Sequence, residues 1–159
     1  MTRILLFLTL IIALRSSAQT TAEDALALQF FQAGDYDKAL PLYQKLYKQS
    51  NGLNYYDQYF TVLLRLKKYD DAERLLQSLL KTHANNFTYQ VDYGRILQER
   101  GKPDKAREWY SNLIQKMPRE EFAIRELATT FYRAEAYEYS VKTLIAGREL
   151  LQDENAFAF

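Results

Sequence analysis

The chain has 159 residues, sets 21 Lys and Arg against 20 Asp and Glu, and is 48% hydrophobic with 13 Tyr and 9 Phe. That length fits one domain or one short repeat array, the apolar share is enough for a packed core, and the mixed charge argues against a nucleic-acid-binding stripe. With no Cys, a single His (His83) and five Gly, the composition excludes disulfides, thiol chemistry, a Cys/His metal site and a glycine-rich phosphate loop, and no cofactor is expected.

Residues 1–18 read as a secretory signal peptide. Arg3 precedes the apolar block from Ile4 to Leu14, and Arg15-Ser16-Ser17-Ala18 places small residues where a signal peptidase reads. Cleavage is expected after Ala18. The apolar block is about half of the roughly 20 residues a bilayer requires, so no stable membrane span is expected in the mature chain. Loss of Arg3 and Arg15 leaves that chain close to neutral. An exported chain without cysteine fits a bacterial envelope, periplasmic or cell-surface, better than a small disulfide-bonded secreted domain.

Beyond residue 18 one pattern occurs four times: Gly34-x-Tyr36-x2-Ala39-x3-Tyr43, Lys67-x-Tyr69-x2-Ala72-x3-Leu76, Gly101-x-Pro103-x2-Ala106-x3-Tyr110 and Glu135-x-Tyr137-x2-Ser140-x3-Leu144. A second cluster precedes each copy: Leu26-Ala27-x2-Phe30, Tyr59-Phe60-x2-Leu63, Tyr93-Gly94-x2-Leu97 and Leu127-Ala128-x2-Phe131. Apolar residues in both stripes recur every three or four positions, so each period of 33–34 residues is expected to be a helix-turn-helix. Thr20-x2-Glu23 reads as a capping box, Asp35, Asp70 and Asp104 sit at second-helix starts, and Asn51-Gly52, Asn85-Asn86 and Met117-Pro118 close second helices. Pro41 costs little if its helix starts near Asp37 and kinks it if the start is Asp35. The small residues Ala39, Ala72, Ala106 and Ser140 allow close helix approach while Tyr43, Leu76 and Tyr110 fill the gaps. The expected fold is all-α: a right-handed α-solenoid over residues 19–152, with repeats at about 20–52, 53–86, 87–120 and 121–152 and first helices lining the inner face.

Period, pairing and the order of large and small residues resemble the tetratricopeptide repeat. The third copy carries the fullest match, with Tyr93-Gly94-x2-Leu97, Gly101, Ala106-x3-Tyr110, Leu113 and Pro118 in order. Copies two and four replace the turn glycine by Lys67 and Glu135. The resemblance implies a scaffold that binds a peptide or protein segment in a concave groove. It places Asp24, Leu28, Phe31, Asp57, Thr61, Leu64, Val91, Arg95, Gln98, Arg125, Thr129 and Tyr132 along that groove, acidic at one end and basic at the other. Family members that clamp a terminal carboxylate use Lys and Asn, where this chain has Asp24, Asp57 and Leu28, so that specialised role is not expected.

Nothing in the sequence builds a catalytic site. His83 in Lys81-Thr82-His83-Ala84 reads as a cap on a helix C-terminus, the carboxylate pairs fall near helix starts, and no Ser has a nucleophile-elbow context. Tyr36, Tyr43, Tyr69, Tyr93, Tyr110 and Tyr137 occupy repeat positions and are expected in the core, with Phe31 and Tyr132 the better groove candidates.

By the phase of the period, residues 153–159 should open a further helix, cut short, leaving the face of the fourth repeat uncovered and open to a partner. Two functional readings follow. The chain is a non-catalytic interaction scaffold in the bacterial envelope, or it is the N-terminal extracytoplasmic sensing part of a longer signalling protein or enzyme.

Overall fold

The structure is a computed structural model that describes residues 22–50, 54–153 and 155–157. The leader segment at residues 1–18, Thr20 of the capping box and Asn51-Gly52 lie outside the described residues. All regular structure among the described residues is helical: α1 at 22–32, α2 Tyr36–Gln49, α3 Tyr56–Arg65, α4 Tyr69–Thr82, α5 Phe87–Glu99, α6 Pro103–Gln115, α7 Glu121–Arg133 and α8 Tyr137–Leu151. Contacts divide the chain after Lys68 into two compact units. The first holds α1–α3 and the second α4–α8.

One backbone turn recurs after α1, α3, α5 and α7. Gly34, Lys67, Gly101 and Glu135 all have positive φ, at 74°, 55°, 71° and 61°. The next residue donates its N–H five positions back, Asp35 to Phe30 and Lys68 to Leu63, then Lys102 to Leu97 and Ala136 to Phe131, at 2.8–2.9 Å. This is a Schellman stop, which satisfies a helix-end carbonyl and reverses the chain. The acceptors are the large residues that end each first-helix cluster, so the sequence period and the turn share one phase. A left-handed conformation costs a non-glycine residue roughly 1–2 kcal/mol. Lys67→Gly and Glu135→Gly are therefore expected to stabilise the chain by about 1 kcal/mol each, and Gly34→Ala and Gly101→Ala to destabilise it by a similar amount. A Cβ at Gly34 or Gly101 meets nothing within 4 Å, so in urea titration of the four variants the two alanine variants read the backbone term alone.

α2 starts at Tyr36, between the two starts considered, which leaves Pro41 inside the helix. Pro41 has no N–H for the carbonyl four residues back, so α2 lacks one rung of its ladder. α5 has a side-chain cap instead: the Asn86 carboxamide accepts from Tyr89 N–H at 3.1 Å. Pro103 fills the first position of α6, where a missing N–H is harmless.

The first unit is built around Ala27, Ala39, Tyr43, Leu46 and Val62, all essentially inaccessible. Phe31 packs edge-on against Tyr36 and Tyr43, each at 5.9 Å between ring centres. In the second unit α5 packs against α4, α6 and α7, and α8 against α6 and α7. Its core joins Val91, Ala106, Tyr110, Ile124, Leu127 and Phe131. Burying each large side chain there contributes about 1.5–3 kcal/mol.

Close approach of α5 and α6 depends on Gly94, whose Cβ would lie 2.0 Å from the Tyr110 ring. The Tyr110 hydroxyl donates to the Val91 carbonyl at 3.2 Å, and the ring meets Phe131 at 5.1 Å and Tyr139 at 4.7 Å. Serine replaces alanine in the fourth copy at no cost in unsatisfied groups, because Ser140 Oγ donates to the Ala128 carbonyl at 2.8 Å.

Two expectations about the C-terminal end are corrected. Residues 155–157 form turns, where a new helix was expected, and Ala156 and Phe157 are buried. Gln152 adopts a left-handed backbone with φ 58° and caps α8, which redirects the chain. Phe157 then lies against Gly147 under the Arg125 guanidinium, 4.9 Å from the ring centre, and Arg148 Nε donates to the Ala156 carbonyl at 2.8 Å. The apolar tail thus closes over α7 and α8. Tyr137, expected in the core, is 54% exposed at the start of α8.

Candidate functional site

The surfaces to consider are the outward faces of the first helices, taken within each unit. In the first unit, Asp24 and Phe31 on α1 are half-buried, Leu28 is 44% exposed, and on α3 Asp57 is exposed while Thr61 and Leu64 are half-buried. Asp24 is not a free acid. Tyr55 hydrogen-bonds to its carboxylate, and the Tyr55 and Tyr43 phenols are held above their ordinary pKa, first by burial and then by that charge. Asp57 remains the exposed acid of this face.

In the second unit, Arg95 and Gln98 on α5 are three residues apart, and Arg125, Thr129 and Tyr132 on α7 follow at four and three. Each set therefore occupies one helix face, and α5 and α7 pack side by side. Gln98, Thr129 and Tyr132 are exposed, Tyr132 by 62%. Val91 departs from the expected groove. It is fully buried among Tyr110, Met117 and Phe131, because a branched apolar side chain between α5 and α7 is more stable packed than wet.

The basic character expected at this end is largely neutralised. Arg95 pairs with Asp92 at 2.9 Å, and Arg125 pairs with Glu121 at 2.8 Å while its guanidinium covers Phe157. Asp92, 6% exposed, is a residue that sequence reasoning missed. An acidic side chain three positions before an arginine is an ordinary helical pair, and nothing in the pattern signals that this one is buried beside Tyr110.

Burial pushes the Tyr110 phenol well above its ordinary value of 10.0, with Asp92 and Tyr139 adding to the rise and Arg95 opposing it. The folded state thus favours the neutral phenol. Its contribution to stability is present in full below about pH 10 and is lost progressively above it. Tyr110→Phe is expected to lose stability at neutral pH through the missing bond to Val91, and to show a shallower alkaline decline than the parent in melts from pH 8 to pH 11.

A cleft of about 620 Å³ opens elsewhere in the second unit, lined by Asn85, Phe87, Gln90, Trp109, Leu113 and Lys116 among others. Trp109 Nε1 donates to the Gln90 carbonyl at 2.7 Å. His83 is exposed, with Nδ1 2.8 Å from Thr82 Oγ1 and its backbone N–H bonded to the Leu79 carbonyl, so it sits just past the end of α4. Among the described residues no group of three or more His, Asp or Glu side chains is placed to hold a metal. What these surfaces offer is hydrogen-bonding groups, aromatic rings and apolar contact on rigid helices.

A family profile for the tetratricopeptide repeat matches residues 63–130, from the last residues of α3 to nearly the whole of α7. The matched stretch carries two of the four recurring turns and the Gly94–Tyr110 contact. Over residues 63–130 the chain carries the tetratricopeptide repeat. Among the described residues the fold class is all-α, built from paired helices joined by the recurring turn. No curated protein matches the sequence significantly. Among solved structures, it is similar to one named MamA RS-1 ArsTM double mutant, at 17% identity over 84% of this chain and 75% of that one with TM-score 0.48. It is also similar to one named MamA MSR-1 C2, at 19% identity over 80% and 74% with TM-score 0.44. At such scores nothing about binding or assembly is carried over from either.

Proposed function

We propose that the chain is a non-catalytic protein–protein interaction scaffold that holds an extended peptide or protein segment on the exposed faces of its first helices. The carrying observation is the division of labour on α5 and α7. Val91, Ile96, Ile124, Leu127 and Phe131 provide the core, while Gln98, Thr129 and Tyr132 are exposed on adjacent helices. Rigid helices presenting an aromatic ring beside amide and hydroxyl groups suit recognition of a peptide backbone with an apolar side chain. In the first unit, Leu28 and Asp57 offer an apolar group and an acid, which favours a segment carrying a basic residue there. Residues 1–18 support export, and hence action in the bacterial envelope.

Photo-crosslinking tests the reading. A benzophenone amino acid at Tyr132, Gln98 or Leu28, introduced in the source cells, is expected to trap a discrete protein. The same probe at Lys105, exposed on α6, should not. Identical adducts at all four positions, or none at the three face positions, would overturn it.

A further inference from the structure

α8 differs from the other second helices of its unit on the side that faces solvent. Tyr137, Val141 and Ile145 recur every four residues and are 54%, 56% and 53% exposed. One period earlier, α6 has Pro103, Arg107 and Ser111 at these positions, all exposed, and Arg107 pairs with Asp104 at 3.1 Å. α4 has Tyr69, Glu73 and Gln77, the last two polar. Tyr69 and Glu73 are half-buried and bond to Glu99 and Arg100 at the end of α5, whereas in α6 all three positions are left to solvent although another helix pair follows. Burying α8 on its other side, through Ser140, Thr143 and Gly147, leaves the stripe pointing away from the core. At its start the stripe is bounded by Tyr132 of α7, whose ring meets Tyr137 at 5.2 Å between centres.

The charges beside the stripe indicate what covers it. Glu138 and Lys142 flank it one turn apart, both more than half exposed and paired at 2.6 Å. An acid and a base one turn apart form a self-complementary edge. When two such helices pack antiparallel about a two-fold axis near Ser140, Val141 of one sits between Tyr137 and Val141 of the other. The same register sets Glu138 beside the second copy's Lys142, and the reverse pair forms by symmetry.

We infer that the Tyr137–Val141–Ile145 face of α8 is an isologous interface between two copies of this chain. The contact is one helix face per copy, smaller than the roughly 800 Å² per partner of a standard stable assembly, so dimer and monomer exchange with concentration.

Sedimentation velocity on the purified chain from low to high micromolar concentration tests this, with circular dichroism to show that each variant is folded. The parent is expected to shift toward a dimer. Val141→Glu and Ile145→Lys are expected to remain monomeric. Glu138→Lys alone and Lys142→Glu alone each place like charges across the axis and should weaken association at least about tenfold. The double variant restores it, and an equimolar mixture of the two single variants forms a mixed dimer. A parent that is monomeric at every concentration, or a dimer indifferent to Val141→Glu, overturns the inference. A dimer that Val141→Glu abolishes while the charge variants leave it unchanged overturns the antiparallel register.

Discussion

Gly94→Ala is expected to destabilise the chain by about 3 kcal/mol, the upper end of the overpacking range, and to lower the midpoint of thermal unfolding by about 6–12 °C. Alanine in place of glycine inside a helix normally gains about 1 kcal/mol, so the sign depends on what the new methyl meets. Here it would stand 2.0 Å from Tyr110 Cε1 and 2.4 Å from Cζ. The ring cannot retreat, because Phe131 and Tyr139 bracket it and its hydroxyl is bonded to Val91. Clash outweighs propensity. Combining Gly94→Ala with Tyr110→Leu should cost less than the two single changes added together, since the smaller side chain leaves room for the methyl. A Gly94→Ala chain that melts at or above the parent would show that α5 and α6 do not approach as described.

Phe157→Ala is expected to cost about 3 kcal/mol, the low end of the range for removing a buried phenylalanine. Phe157 is 5% exposed, lies against Gly147, and carries the Arg125 guanidinium on its ring. Phe122 is the matched control, with 78% exposure; Phe122→Ala should change stability by no more than about 0.5 kcal/mol. Chemical denaturation of both variants measures the difference. Equal effects would mean that the tail is not docked on α7 and α8.

Which parts of this architecture the sequence disclosed follows from where its signals come from. Small residues at Ala39, Ala72, Ala106 and Ser140 mark close helix crossings, so their spacing of 33 to 34 residues reports the period directly. The turn is legible at Gly34 and Gly101 because only glycine adopts positive φ freely. At Lys67 and Glu135 the same turn is held by its Schellman bonds against the residue's own preference, and the register of the copies was its only trace. Asn85-Asn86 reads as the close of a second helix, but α4 ends at Thr82 and the Asn86 carboxamide caps the start of α5.

The surface was less legible for a physical reason. Repeat position fixes the direction in which a side chain leaves its helix, but not how near the neighbouring helix stands. Val91 therefore falls into the core at a position that leaves Gln98 and Tyr132 in solvent on the same pair of helices. The charge of the face was misread for a related reason, since Asp92 and Glu121 sit within one turn of Arg95 and Arg125 and pair with them. The tail had no periodicity to read. Its course depends on Gln152 adopting a left-handed backbone and on a slot beside Gly147 that is visible only once α7 and α8 are packed. Tyr137, grouped with the core tyrosines by repeat position, belongs to the solvent-facing stripe of α8.

Amide chemical-shift mapping of the isotopically labelled chain, titrated with a partner segment recovered by crosslinking, tests the proposed binding mode most directly. The largest perturbations are expected at Gln98, Thr129 and Tyr132 and their helix neighbours on α5 and α7. Perturbations confined to the Trp109 cleft, or to Val141 and Ile145 on α8, would contradict recognition through the first-helix faces.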